Sequence, residues 1–413
     1  MDIRYLLLLI TSTGLTALLN FLFQIGIAKN TSPQVYGAYS TYLTLSLISI
    51  PLITVGISNY LIKFFSEEGE EKRIDINLIT LILLSSLLGL IVINFIFNFY
   101  FDGFGSLIAF LLSFGVLAFA YHEIYLSYLV GCENKKYIIF WQPILHFFRF
   151  LILMLFLYMY ATLDFSKLAW LSFFVSILII IFVVLSFRSK VSLNIKKLSI
   201  KKIGEVASKS IWFGLIGFLY ILYSQINIVY IDRLIGSVEA GYFNIGYTFL
   251  LMSLILPTTF YNKYLLPKLH RLYKTDKSEL KRIYIKGSFY SLIFGLIFCM
   301  CLNFLAENIV LMFYGVQYFD SIIFFKYIVF AIPLFYLSIH VGIFSYLGGF
   351  QKYKVYGLFF VTLVSLLINY ILILNFGVIG SIVGLNIVIM ILTIVYVILN
   401  KFFIFNEVYN AEN

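Results

Sequence analysis

Apolar positions along this chain fall into long runs that are separated by short polar segments. Each run holds about 20 residues, the length that an α-helix needs to cross the hydrocarbon core of a membrane. Twelve spans can be drawn, at residues 5–28, 38–62, 78–100, 107–130, 137–160, 168–187, 210–231, 241–262, 284–305, 321–347, 355–376 and 378–400. The pattern predicts an all-α integral membrane protein with 12 transmembrane helices.

A basic segment interrupts this pattern near the middle of the chain. Residues 188–209 carry seven Lys or Arg and one acidic residue, so this stretch cannot enter the bilayer. It predicts three parts: an N-terminal six-helix bundle (1–187), a basic cytoplasmic linker (188–209) and a C-terminal six-helix bundle (210–413).

The distribution of basic residues predicts the orientation. If both termini lie on the same side, 24 of the 29 Lys and Arg fall on that side. Only Lys29, Lys167 and Arg233 fall on the other side, and Arg149 and Lys326 fall within spans. Short loops rich in Lys and Arg stay in the cytoplasm. We therefore expect cytoplasmic N and C termini, with the function carried out inside the helical bundle because the outside loops are short.

Composition narrows the class of protein further. A mean hydropathy of +1.01, with only 12% charged residues, excludes a soluble domain. The net charge of +10 lies in loops beside spans, which favours anionic lipid headgroups over nucleic acid as the partner. The sequence contains no DxD, P-loop, CxxC or HExxH motif, so neither a catalytic site nor a metal or cofactor is predicted.

A short motif recurs in the two halves of the chain. Residues 35–39 (VYGAY), followed by an apolar run to Pro51, resemble residues 239–243 (EAGYF), followed by an apolar run to Pro257. Copies of six spans share one orientation in the membrane. The repeat therefore predicts a pseudo-two-fold axis along the membrane normal and a cleft between the bundles, the usual architecture of alternating access.

Two pairs of residues occupy matching places in these copies. Lys29 and Arg233 each precede the glycine of the motif by eight positions, and Pro51 and Pro257 fall in spans 2 and 8. Proline inside a helix frees a carbonyl group and permits a bend, so we expect both prolines to act as hinges. The alternative is that each proline merely fits the local packing.

Ionisable residues within the spans are the candidates for chemistry. At 1.5 Å per residue, Glu123 lies about 10 Å from the inner edge, His146 about 13 Å and Arg149 about 18 Å. Glu123 is thus expected within reach of His146 and Arg149. The group is either a neutralised pair that lets span 5 carry Arg149, or a proton-linked or anion-binding group that faces the cleft. Lys326, about 8 Å from the outer edge, is either a cavity cation or an interfacial anchor.

Five short motifs follow one another along nearly the whole chain. They are SPQVYGAYS at 32–40, DRLIGSVEAGYFN at 232–244, LP at 266–267, FYG at 313–315 and NFG at 375–377. In order and spacing they resemble the polysaccharide flippases, the O-antigen and capsule branch of the multidrug/oligosaccharidyl-lipid/polysaccharide (MOP) exporter superfamily. The resemblance implies a MATE-like fold of two six-helix bundles around a cationic central cavity.

The resemblance also implies a function and partners. An undecaprenyl-diphosphate-linked oligosaccharide, a repeat unit of O-antigen (lipopolysaccharide) or capsule, would move from the cytoplasmic to the periplasmic leaflet of the bacterial inner membrane. Membrane lipids and the polysaccharide polymerase machinery are the implied partners. Two alternatives stay open. A multidrug cation exporter of the same superfamily needs acidic groups in its cavity, and an O-antigen polymerase-type enzyme needs a large outside loop.

Such flippases have no fixed motif for the substrate, so the expected site rests on this chain's own residues. We expect the diphosphate and glycan to contact the basic residues in and near the spans, which are Arg149, His146, Lys326, Arg233 and Lys29. Glu123 and His122 are the candidates for coupling to a proton or cation gradient.

Overall fold

The computed structural model describes residues 3–67, 74–188, 190–192, 198–347 and 351–405. Within these ranges the chain is almost wholly helical, as the apolar runs predict. Two short strands, β1 (Ile74–Asp75) and β2 (Val191–Ser192), pair in parallel. The protein is a multi-pass membrane protein of the all-α class.

The chain divides into two compact units, Met1–Ile221 and Leu222–Asn413. Helix α9 (Ile200–Leu234) contains this division. The described helices before it are α1 (Ile3–Asn30), α2 (Pro33–Ile53), α3 (Ile57–Glu67), α4 (Ile76–Tyr100), α5 (Ser106–Gly131), α6 (Lys135–Trp141), α7 (Ile144–Met159) and α8 (Phe165–Phe187). Residues 200–209 of the predicted linker are therefore helical, and residues 189 and 193–197 of it lie outside the described ranges.

The second unit continues from α9 with seven further α-helices among its described residues. They are α10 (Ser237–Ser253), α11 (Ile255–Thr259), α12 (Leu266–Thr275), α13 (Lys277–Phe313), α14 (Ser321–Ile328), α15 (Ile332–Phe344) and α16 (Gln351–Leu399). A π-helical turn, Phe260–Leu265, joins α11 to α12, and a second, Asn400–Phe405, follows α16.

The described helices account for the 12 predicted spans. Among the described residues, ten helical stretches are long and apolar enough to cross a membrane, and three of these join consecutive helices: α6 with α7, α10 with α11, and α14 with α15. Helix α2 with α3 forms an eleventh, bent span. A straight α16 would be about 74 Å long, more than twice the hydrocarbon thickness of about 30 Å. Gly377, with φ 61° and ψ −143°, breaks α16 into two helices between the predicted spans 355–376 and 378–400.

Span 2 is interrupted a few residues after Pro51. The axes of α2 and α3 differ by 51°, and Gly56 has a positive φ of 69° at the break. A side chain at Gly56 would overlap the backbone of Ser210 and Gly214 on α9, so α9 packs directly on the bend. Glycine meets both requirements here, because it tolerates positive φ and has no Cβ.

Span 8 is also interrupted beside its proline. Helix α10 ends at Ser253, and Pro257 lies in the short α11 before the π-helical turn. The Tyr336 hydroxyl of α15 donates a 2.9 Å hydrogen bond to the Ser253 carbonyl, which satisfies an acceptor at the end of α10. Both spans are therefore broken near the expected prolines, while their movement as hinges stays a prediction.

Candidate functional site

Arg149 lies on α7 in the interior of the first unit and is only 4% exposed. Its guanidinium carbon lies 4.0 Å from the centroid of the Phe23 ring and 5.2 Å from that of Phe119. Its Nη1 donates to Asn20 Oδ1 at 3.2 Å and contacts His146 Nδ1 at 3.4 Å. A guanidinium group can only donate, so His146 accepts through Nδ1. Rings and neutral acceptors from α1, α5 and α7 thus surround a full positive charge.

The charge of Arg149 is not balanced by an acid. Its Nη2 is buried and has no hydrogen-bond partner among the described residues, and no ion pair to Arg149 is formed in that part of the chain. Arginine does not lose its proton in proteins. Because a buried charge without a counterion is costly, the site has both a spare donor and an electrostatic preference for an anion.

A small cavity adjoins Arg149. Its lining includes Tyr39, Tyr42 and Ser172, and its volume is about 10 Å³. The hydroxyls of Tyr39 and Ser172 lie 3.1 Å apart, whereas the Tyr42 hydroxyl is buried without a partner among the described residues. This volume is close to the lower limit for a single water molecule. A phosphate group can therefore reach Arg149 only after the surrounding helices separate.

The expected pairing of Glu123 with the basic residues of span 5 is wrong. Among the described residues, Glu123 forms no ion pair with His146 or Arg149, and its carboxyl group faces Ser58 on α3. Arg149 lies at the level of Phe119, four residues before Glu123, and its guanidinium turns towards α1. The guanidinium is therefore held by Phe119 and Asn20, and the Glu123 carboxyl group is not among its contacts.

His122 joins two helices. Its Nε2 lies 3.1 Å from the Trp141 carbonyl oxygen, and the Trp141 indole N–H donates to the His122 carbonyl at 3.2 Å. The two rings are nearly parallel, at an interplanar angle of 14°. These reciprocal contacts fix α5 against the end of α6. A role for His122 in coupling stays a prediction beside this structural role.

The other predicted basic residues lie apart from Arg149 along the chain. Lys29 is exposed at the end of α1, and Arg233 is exposed at the end of α9. Lys326 is half-buried in the last turn of α14, where its backbone carbonyl accepts a 3.0 Å hydrogen bond from Asn303. Arg233 and Lys326 belong to the second unit. Their contact with a substrate stays a prediction.

The structure adds residues that the sequence reasoning missed. Asn20 and Phe23 both contact the guanidinium from α1, and Tyr39 lines the cavity beside it. Asn20 is a polar residue within an apolar run, and Tyr39 belongs to the repeated motif, so the sequence could have marked both as candidate site residues. It does not indicate which helix faces α7. Among the described residues, no group of three or more His, Cys, Asp or Glu could hold a metal ion.

Comparison with known families gives a match over most of the chain. The family model described as "Polysaccharide biosynthesis protein" matches residues 4–273, which is more than half of the chain. A search of curated proteins finds no match.

Comparison with solved structures gives the fold. An inward-facing multidrug resistance MATE family transporter of the MOP superfamily aligns with a TM-score of 0.72 at 15% identity, covering 94% of each chain. The lipid II flippase MurJ, in an inward closed conformation, aligns with a TM-score of 0.68 at 15% identity, covering 96% of this chain and 87% of that one. The fold is therefore of the MOP transporter type, as the sequence predicts.

Proposed function

We propose that this chain, which belongs to the polysaccharide biosynthesis protein family, is a flippase for undecaprenyl-diphosphate-linked oligosaccharides. It moves repeat units of O-antigen or capsule from the cytoplasmic to the periplasmic leaflet of the bacterial inner membrane. The family match supports a role in polysaccharide synthesis, and the fold likeness to MurJ and MATE transporters supports translocation.

The observation that carries the proposal is the unbalanced charge of Arg149. The cargo bears a diphosphate, which must meet cations when it leaves water. Arg149 supplies a buried, permanently charged guanidinium group whose Nη2 has no hydrogen-bond partner among the described residues. A multidrug exporter for cations would instead require an acid at this position, and Glu123 faces α3 rather than this site.

Access to Arg149 depends on α1 in this proposal. Asn20 and Phe23, both on α1, cover the guanidinium on one side. A displacement of α1 from α7 breaks one hydrogen bond and one ring contact and exposes the charge to a cleft. The diphosphate then replaces Asn20 as the acceptor, while the polyprenyl chain stays in lipid. Return of α1 restores the internal contacts and favours release of the headgroup on the other side.

The remaining assignments follow the predicted topology. The positive-inside distribution of Lys and Arg supports cytoplasmic N and C termini. Lys29, Arg233 and Lys326 provide further cations for the diphosphate and glycan along the path, and Glu123 and His122 provide coupling groups. The polymerase machinery receives the translocated unit. No step requires a cofactor.

Deletion of the gene in its host tests this function. We expect complete repeat units to accumulate on undecaprenyl diphosphate at the cytoplasmic face, as shown by mass spectrometry with a membrane-impermeant label. Exported but unpolymerised single units would instead indicate a polymerase. Unchanged glycolipids with new drug sensitivity would indicate a multidrug exporter.

The side chain assigned to the diphosphate is tested by complementation. Arg149→Ala should lower export about tenfold to a hundredfold, the range for losing one charge-assisted hydrogen bond. Lys167→Ala is the matched control, because Lys167 is a partly exposed base of the same unit that pairs with Asp164 at 3.3 Å. Normal export by the Arg149→Ala variant would remove Arg149 from the proposed path.

A further inference from the structure

A groove of about 840 Å³ lies within the second unit, between α11, the π-helical turn after it, α13 and α15. One side of α13 forms its long wall, with Arg282, Lys286, Tyr290, Phe294 and Ile297 in succession. Residues three or four apart lie on the same side of a helix. The wall is therefore basic at one end and aromatic or aliphatic along the rest.

The apolar part of the groove matches one leaflet of a bilayer in length. From Lys286 to Phe298 the helix rises about 18 Å, while half of a hydrocarbon core measures about 15 Å. The wall residues Tyr290, Phe294 and Ile297 are 56%, 62% and 57% exposed, so the rest of the described chain leaves more than half of each residue uncovered. In a membrane such a strip lies against an acyl chain.

The floor of the groove is shaped by a glycine and a histidine. A side chain at Gly287 would overlap the imidazole of His340, so α13 and α15 pack closely here. His340 is 1% exposed and donates from Nε2 to the Tyr284 carbonyl at 3.1 Å. Its Nδ1 has no partner among the described residues. The buried imidazole thus closes the floor of the groove next to the basic end.

The basic end has a net charge that suits a single phosphate. Arg282 contacts Glu279 at 3.5 Å in an exposed pair, and Lys286 forms no ion pair among the described residues. An exposed ion pair of this kind contributes little to stability, so most N–H donors of Arg282 stay available to a ligand. Two cations and one carboxylate leave one positive charge. This balance fits a phosphodiester better than a diphosphate, which carries more negative charge.

We propose that this groove binds an anionic phospholipid of the cytoplasmic leaflet. The phosphodiester contacts Arg282 and Lys286, and an acyl chain lies along Tyr290, Phe294 and Ile297. Charge complementarity and the one-leaflet length both favour this occupant over the cargo lipid, whose polyprenyl chain extends well beyond one leaflet. Pro257 also lines the groove, so the bound lipid touches the interrupted part of span 8.

The test is lipid retention by the purified full-length protein. The protein is equilibrated with equal amounts of phosphatidylglycerol and phosphatidylcholine, and the lipids that stay bound are counted by native mass spectrometry. We expect wild type to retain phosphatidylglycerol preferentially. The Arg282→Gln/Lys286→Gln variant should lose this preference, because its affinity for phosphatidylglycerol should fall about fivefold for each basic residue removed. Glu279→Gln should strengthen retention, because it removes the competing carboxylate.

The control is Lys277→Gln/Lys281→Gln, which removes the same charge from the same helix outside the groove lining. It should bind phosphatidylglycerol as wild type does. Equal loss in both double variants would overturn the proposal in favour of a diffuse surface charge. Displacement of phosphatidylglycerol by an equimolar polyprenyl phosphate would overturn it in favour of the cargo lipid. Thermal unfolding in phosphatidylcholine alone verifies that every variant is folded.

Discussion

The guanidinium carbon of Arg149 lies 4.0 Å from the centroid of the Phe23 ring, so a charge on α7 is held by an aromatic ring on α1. Phe23 itself has no exposed surface. A cation over a ring face is stabilised by the quadrupole of the ring, and more so when water is excluded. This contact links the stability of the closed α1 position to the residue that we assign to the diphosphate.

A double-mutant cycle measures this link. Phe23→Leu keeps an apolar side chain but removes the ring, and Arg149→Met removes the charge. Thermal or denaturant unfolding of both single variants and the double variant should give a coupling energy of about 1–2 kcal/mol. The Phe65→Leu/Arg149→Met cycle is the control, since Phe65 is equally buried but packs against Phe64 and Tyr128, away from Arg149. A coupling energy near zero in the Phe23 cycle would show that the ring is only packing.

The bend in span 2 makes a second prediction. Gly56→Ala places a Cβ against the backbone of Ser210 and Gly214 and forces a residue with a side chain to adopt φ 69°. Left-handed backbone alone costs about 1–2 kcal/mol, so the free energy of unfolding should fall by at least that amount. Gly14→Ala is the matched control, because a Cβ there meets no atom within 4 Å. That substitution should be neutral or stabilising by up to about 1 kcal/mol.

The two roles considered for His122 can be separated. Trp141→Phe removes the indole donor to the His122 carbonyl but keeps a ring against the imidazole, so unfolding should become easier by about 1 kcal/mol. If His122 only joins α5 to α6, His122→Gln should lower export in proportion to the amount of folded protein. Lost export at an unchanged melting temperature would instead assign His122 to coupling.

The start of α13 should depend on pH. Asp276 accepts hydrogen bonds from the Glu279 amide at 2.9 Å and the Ser278 hydroxyl at 2.7 Å. These bonds favour the carboxylate and lower the pKa of Asp276. A lowered folded-state pKa means that the stabilisation is complete above the unfolded pKa of about 3.9 and is lost as the pH falls through the folded value.

Amide hydrogen exchange measures this dependence. The protection factor of the Glu279 amide in wild type should fall as the pH is lowered below about 4. Asp276→Asn keeps a capping acceptor but cannot titrate, so its protection should not vary with pH over the same interval. Identical pH profiles for the two proteins would exclude Asp276 as the group responsible.

The fold was predictable because hydrophobicity and length alone specify membrane spans. The apolar run 107–130 corresponds to α5 (Ser106–Gly131), and the break at Gly377 falls between the last two predicted spans. The secondary structure of the basic segment, residues 188–209, was harder to predict. Charge predicts that it lies in water, but water does not prevent a helix, and α9 begins at Ile200 within it.

For the candidate site, the position of each residue along its helix was predictable from the sequence, but the side of the helix on which its neighbours lie was not. A rise of 1.5 Å per residue placed Arg149 deeper than Glu123, and the structure finds Arg149 at the level of Phe119. The side of α5 or α7 that faces a given neighbour was not predictable, because apolar residues occur on every side of both helices and no apolar stripe in the sequence marks the buried face. Asn20 and Phe23 were therefore missed, although they lie in a span that was placed correctly.

Translocation by the purified protein tests the central claim most directly. Vesicles containing the protein and a labelled undecaprenyl-diphosphate oligosaccharide are treated with a membrane-impermeant glycan-modifying reagent, and the labelled lipid that becomes accessible is followed over time. We predict that wild type and Lys167→Ala make the lipid in both leaflets accessible, whereas Arg149→Ala slows this at least about tenfold. Accessibility confined to the outer leaflet with wild-type protein, at the level of protein-free vesicles, would contradict the assignment as a flippase.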